Sequence, residues 1–235
     1  MRGARLLALV VVVVLVSPAV ACSTDNAAGP ATSAVPSTPA PTTSAAATAS
    51  PSATAQRVID SSALLQPADL GDSPLEPLPE GQSAHLRPAR PCEARYPSDA
   101  TRTAAVAMRA QVSPGAGQTP SIVIQYVGLH PGHAADAFAD IAAAVERCPG
   151  GLQRGQREWR TVGTGVAGDE SMLLRISERF DYGDANVVTT VPVAVARVGD
   201  HITVVANLGW ESASGDEQYV RELVATAVDR LRANA

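Results

Sequence analysis

The 235-residue chain contains no lysine, and all 18 of its basic residues are arginine. Mechanisms built on a lysine nucleophile or Schiff base are therefore excluded. With the abundance of Ala, Val and Gly, arginine-only usage reflects a high-G+C genome rather than an activity. Positive charge is also in deficit, with 23 carboxylates giving a formal net charge of −5. Nucleic acid and anionic membrane faces both reward net positive charge, so neither is favoured as a partner. Long apolar runs are missing too. The longest, Leu6 to Val16, has eleven residues, whereas a helix spanning a bilayer takes roughly 20. Cysteine is scarce, at three residues, and neither Cys92 nor Cys148 has a Cys or His at metal-ligand spacing.

What is present at the N-terminus is an export signal. Arg2 and Arg5 precede the apolar run, and Ser17-Pro18-Ala19-Val20-Ala21-Cys22 supplies the small-residue cleavage pattern. The signal is expected to span residues 1–21. Ala19-Val20-Ala21-Cys22 resembles a bacterial lipobox, with Ala19 where that motif prefers Leu. The resemblance implies that the Cys22 thiol is acylated and becomes the mature N-terminus. The alternative is ordinary cleavage with Cys22 left as a spare thiol. Two or more acyl chains anchor stably where one holds marginally, so acylation would keep the protein on the outer face of the cell membrane. Residues 22–56 follow as an Ala/Ser/Thr/Pro tract with too little apolar surface to offset ordering entropy, a disordered linker. As a flexible coil its ends lie about 30 Å apart. Residues 57–235 have the size of one domain with one core.

If Cys22 carries lipid, Cys92 and Cys148 remain as a pair in an oxidising compartment, where a disulfide persists. Two buried free thiols are the alternative. Between Cys92 and the C-terminus the periodicity changes several times. Ala104, Val106, Met108, Ala110 and Val112 share one face, with Thr103, Arg109 and Gln111 on the other, as a half-buried strand. Pro114 to Gly117 turns the chain into a second strand through Ile122, Ile124 and Tyr126. Ala134, Phe138, Ile141, Val145 and Cys148 mark one helical face, which places Cys148 on the buried stripe. Four more strands are expected at about 158–162, 172–180, 187–198 and 201–208, the last two joined through Gly199-Asp200. Pro192 marks an edge or a bulge. A final helix is expected from Ser214, at capping-box spacing from Glu217, with Val220, Leu223, Val224, Ala227 and Leu231 facing inward. The expected fold is a single α+β domain: an antiparallel sheet of about six strands with two main helices packed on it, stapled by one disulfide.

The layout resembles the PknH-like extracellular sensor domain of mycobacterial receptor kinases and related actinobacterial lipoproteins. The matching features are Leu64-Leu65-Gln66-Pro67-Ala68-Asp69-Leu70, a cysteine before the first long strand and a helix ending in Arg147-Cys148. Gly168-Asp169-Glu170-Ser171 opening a strand and the Val195 to Asp200 hairpin complete the set. The resemblance implies an extracytoplasmic ligand-sensing or binding module with a cleft, and it transfers no site residue.

Motifs with chemical content are sparse. Gly163-Thr164-Gly165-Val166-Ala167-Gly168 matches G-x-G-x-x-G, but Asp169-Glu170 and a strand follow it where a dinucleotide needs a helix N-terminus. A glycine-rich turn is the expected reading. His130 and His133, near Asp136, form a conceivable metal locus, although exposed histidines in a strand-to-helix loop are ordinary. Ser171 lacks the glycine that completes a nucleophile elbow. Asp169 and Glu170 are expected in a solvated turn, and Asp181 to Asp184 in a hairpin turn without the ligand count calcium requires. Trp159 and Trp210 are the candidate anchors for a ligand or partner, with a core role as the alternative. No catalytic residue, metal or cofactor is expected. The expected function is a lipid-anchored, non-catalytic binding or sensor module for a small ligand or cell-wall component, working with an envelope protein partner. An envelope hydrolase with an unrecognised site and a lipid carrier between membrane and wall are the alternatives.

Overall fold

The computed structural model describes residues 58–113, 119–182 and 185–234. The export signal, Cys22, the linker and the expected turn at Pro114 to Gly117 lie outside the described residues, as do Gly183 and Asp184.

Seven strands form one antiparallel sheet: β1 (Glu76–Pro77), β2 (Ala104–Val112), β3 (Ser121–Leu129), β4 (Arg157–Thr164), β5 (Glu170–Tyr182), β6 (Ala185–Val198) and β7 (His201–Asn207). Their spatial order is β1-β2-β3-β7-β6-β5-β4. The six strands read from the sequence are all present. The seventh, β1, lies in the proline-rich stretch from Asp72 to Pro91 and pairs Glu76 with Arg109 and Pro77 with Met108. A two-residue strand ending in proline suits an edge, because proline has no N–H for a further neighbour.

Helix α1 (Ala134–Arg147) packs on one face of the sheet and α2 (Glu217–Asn234) on the other. The α1 face buries Leu86, Tyr96, Trp159, Leu174, Val195 and Val204. The α2 face buries Leu65, Leu70, Val123, Leu173, Val205 and the small residues Ala194 and Ala196. The middle strands are therefore covered on both sides, and every β7 residue from Ile202 to Asn207 is buried. Strand β6 pairs with β5 from Ala185 to Arg197 but with β7 only from Val193 onward. Pro192 stands where the second pairing stops, so a strand central in one half becomes an edge in the other.

Two expectations about helix ends are corrected. Helix α2 is capped by Asp216, whose carboxylate accepts from the Tyr219 N–H at 3.0 Å. Ser214 instead accepts from the Thr190 N–H at 3.0 Å, so its hydroxyl serves the edge of β6. Cys148 is not on the buried stripe of α1, which consists of Ala134, Ala137, Ile141, Ala144 and Val145. It is the residue that leaves the helix, at φ −135° and ψ 72°, and it is half-buried. Cys92 is exposed and the two are disulfide-bonded across a Cα separation of 6.1 Å. The bridge ties the end of α1 to the segment preceding β2.

Candidate functional site

The fold places the two tryptophans in two different hollows. Trp210 lies at the end of the sheet where β2 finishes, β3 starts and β7 gives way to α2. It helps line a cleft of about 650 Å³ with Tyr219, Leu70, Val112 and Pro120. The wall that carries it is tied down closely. The buried Asn207 side chain accepts from the Gly209 N–H at 3.0 Å and donates to the Ser121 hydroxyl at 3.2 Å. Gly209 has φ +69°, and a Cβ there would collide with the Ala213 carbonyl oxygen, so only glycine makes this turn. Gly215 then donates to the Thr190 carbonyl at 2.9 Å, closing the loop against β6.

Asp69, Asp216 and Glu222 give this cleft three carboxylates, and no arginine or histidine is among its described lining residues. Each carboxylate is already engaged. Arg230 grips Asp69 with two bonds, at 2.6 and 2.9 Å, and holds its carboxyl below the ordinary aspartate range. Asp216 caps α2, and Glu222 accepts from the Gln218 amide at 2.9 Å. At Asp69 this bidentate pairing favours the ionised form.

Trp159, in β4, is 2% exposed and belongs to the core beneath α1. Its ring meets that of His85 edge-on at 6.2 Å. The pair lies at the floor of a second groove, of about 590 Å³, beside the Cys92–Cys148 bridge. Arg90, Arg147 and Arg157 also line it, opposed by Glu93. Burial, with Arg157 nearby, pushes the His85 pKa down to about 4. Nothing in the local sequence around His85 marks this groove. The signal that reveals it is the arginine flanking on both cysteines, at Arg90 and Arg95 on one side and Arg147 on the other.

The remaining sequence candidates resolve into structural roles. His130 is buried rather than exposed, at 3%, and its Nδ1 stands 3.1 Å from the Thr101 hydroxyl. His133 pairs with Asp136 at 3.1 Å. Among the described residues no group of three or more His, Cys, Asp or Glu is placed to hold a metal. The glycine-rich segment joins β4 to β5 as a turn. Gly168 has φ +76°, and a Cβ there would stand 2.6 Å from the Arg197 carbonyl oxygen. The buried Ser171 hydroxyl accepts from the Ala167 N–H at 3.0 Å. Asp169 and Glu170 are exposed, as expected of a solvated turn, and also join an ion cluster: Arg197 reaches both, at 3.3 and 2.6 Å, and Arg232 of α2 reaches Asp169 at 3.5 Å. Among the described residues no helix is long and apolar enough to cross a membrane. No protein-family model, curated protein or solved structure matches the chain.

Proposed function

We propose that the protein is a membrane-anchored extracytoplasmic lipoprotein whose domain binds a small ligand or cell-wall component for a partner in the envelope, without catalysis. The observation that carries this reading is the Trp210 cleft. It is concave, half apolar, walled by a loop held in place by backbone and Asn207 hydrogen bonds, and its carboxylates are committed to structural partners. Preformed clefts with an aromatic surface and a few polar groups are how small ligands are held. A catalytic reading would need a titrating group free of structural partners, and each lining carboxylate already has one. The lipobox-like Ala19-Val20-Ala21-Cys22 and the linker supply the anchor and the reach.

The test is native mass spectrometry of the full chain released from the membrane of its own host. The expected result is a reproducible extra mass beyond the acyl chains, retained by the native protein and lost in Trp210→Ala. Turnover of an envelope ester or glycan by the purified protein, or a protein that is empty in every preparation, would overturn the reading.

A further inference from the structure

We propose that the groove beside the Cys92–Cys148 bridge is a second binding site, for a small anion carrying a phosphate or carboxylate group. It is separate from the Trp210 cleft and opposite to it in charge. The groove joins a hollow of about 750 Å³ that shares His85, Arg90, Glu93 and Arg157 and adds Arg95. Four arginines thus converge on one surface, against Glu93 and Asp99, in a chain whose net charge is −5.

Two of the four are held rigidly. Arg90 donates to Asp99 at 2.6 Å and to the Ala94 carbonyl at 2.8 Å, and its guanidinium lies 4.9 Å from the centre of the Tyr96 ring. Arg157 pairs with Glu178 at 3.1 Å. The other two lack a carboxylate. Among the described residues only Arg87, Arg95, Arg147 and Arg179 make no ion pair, and two of those four border this groove. Arg87 spends its guanidinium on the Leu78 and Pro79 carbonyls, whereas no side-chain hydrogen bond is formed by Arg95 or Arg147 among the described residues. A planar guanidinium presents donors in a fork that matches phosphate and carboxylate oxygens. The floor is different in kind: Pro149 and the disulfide, over the buried Trp159, give an apolar surface for the rest of the ligand. The combination suits an anionic head on a small apolar or ring-bearing body.

The test uses the ¹⁵N-labelled full chain. Inorganic phosphate, and separately citrate, is titrated in at ionic strength held constant with sodium chloride, while arginine Nε–H and Trp159 indole signals are followed. Saturable shifts of Arg147, Arg95 and Trp159 are expected. The double variant Arg95→Gln/Arg147→Gln should bind at least about tenfold more weakly, the effect of losing one charge-assisted bond. Both side chains are exposed, so unchanged backbone signals elsewhere will show that the variant is folded. Phosphatidylglycerol vesicles, with phosphatidylcholine as control, separate the sources. Vesicle binding that needs Arg95 and Arg147 assigns a lipid headgroup, and phosphate binding without vesicle binding assigns a soluble ligand. No saturable shift with either anion, or equal affinity in the double variant, would overturn the site.

Discussion

His85 should make the domain lose stability in mild acid. Its half-buried ring packs against Trp159, with Arg90, Arg157 and Glu93 lining the same hollow. Burial, together with Arg157, lowers its pKa from 6.5 to about 4, whereas the unfolded chain returns it to about 6.5. Between these values the unfolded chain binds a proton that the folded domain refuses. Stability from this group is therefore complete above about pH 6.5 and is lost as pH falls toward 4. A separation of about 2.5 pH units, at roughly 1.4 kcal/mol per unit, amounts to about 3.5 kcal/mol, of which about 2 kcal/mol is gone by pH 5. His130 and His201 are lowered by burial as well and act in the same direction. Asp69 and Glu217, held low by Arg230 and Arg175, lose their contribution as pH falls below their ordinary values of 3.8 and 4.5, both under pH 5.0. Urea unfolding of the full chain at pH 7.5 and 5.0, followed by tryptophan fluorescence with the disulfide intact, measures the difference. His85→Gln removes the titrating group and should shrink the pH 7.5-to-5.0 loss by about 2 kcal/mol. A variant that keeps the full pH dependence of the native chain would refute the assignment.

The bridge and the cap of α2 give two further tests. Closing a loop across a sequence separation of 56 residues removes denatured-state entropy worth about 4 kcal/mol in the chain-entropy model, so Cys92→Ser/Cys148→Ser should lower unfolding stability by up to that amount at pH 7. Equal stability of the double variant and the native chain in urea would show that the bridge constrains nothing. Asp216→Ala should cost about 1 kcal/mol as a lost N-cap, read in the same assay; a neutral effect would return the cap to Ser214.

The elements that the sequence declared were those whose pattern is set locally. Alternation is clearest at the end of β2, where Ala110 and Val112 are buried on either side of the exposed Gln111. Two-sided burial left a different trace in β6, where Val193 and Val195 face α1 while Ala194 and Ala196 face α2. The strand stays visible because large and small apolar residues alternate in place of apolar and polar ones. Strand β1 was hidden because its two residues carry no pattern and exist only through pairing with Arg109 and Met108. The cap of α2 was misplaced for a similar reason. Ser214 and Asp216 are both good caps by type, and what decides between them is that the Thr190 N–H, 24 residues away, takes the serine hydroxyl.

Sites are harder to read than elements because their walls come from segments far apart in the chain, and the two tryptophans show where local reading stops. Trp159 follows Glu158 within a strand, and its inward face is fixed only by the register that pairs it with Ile176. Trp210 follows Gly209, and that turn carries it out of the ladder toward the cleft. A tryptophan just past a strand-ending glycine is therefore the better candidate for a surface, and one in mid-strand for the core. The arginine groove was legible by a different route. A disulfide is the one long-range contact that cysteine parity exposes in this chain, and whatever flanks its two ends must meet. Arg90 and Arg95 lie within three residues of Cys92, and Arg147 adjoins Cys148. Once the bridge forms, like charges are brought together, a cost that the fold offsets for Arg90 with Asp99 and leaves without an ion pair at Arg95 and Arg147. Arg197 and Arg230, by contrast, each have a carboxylate partner. An anion supplied from outside would remove that repulsion.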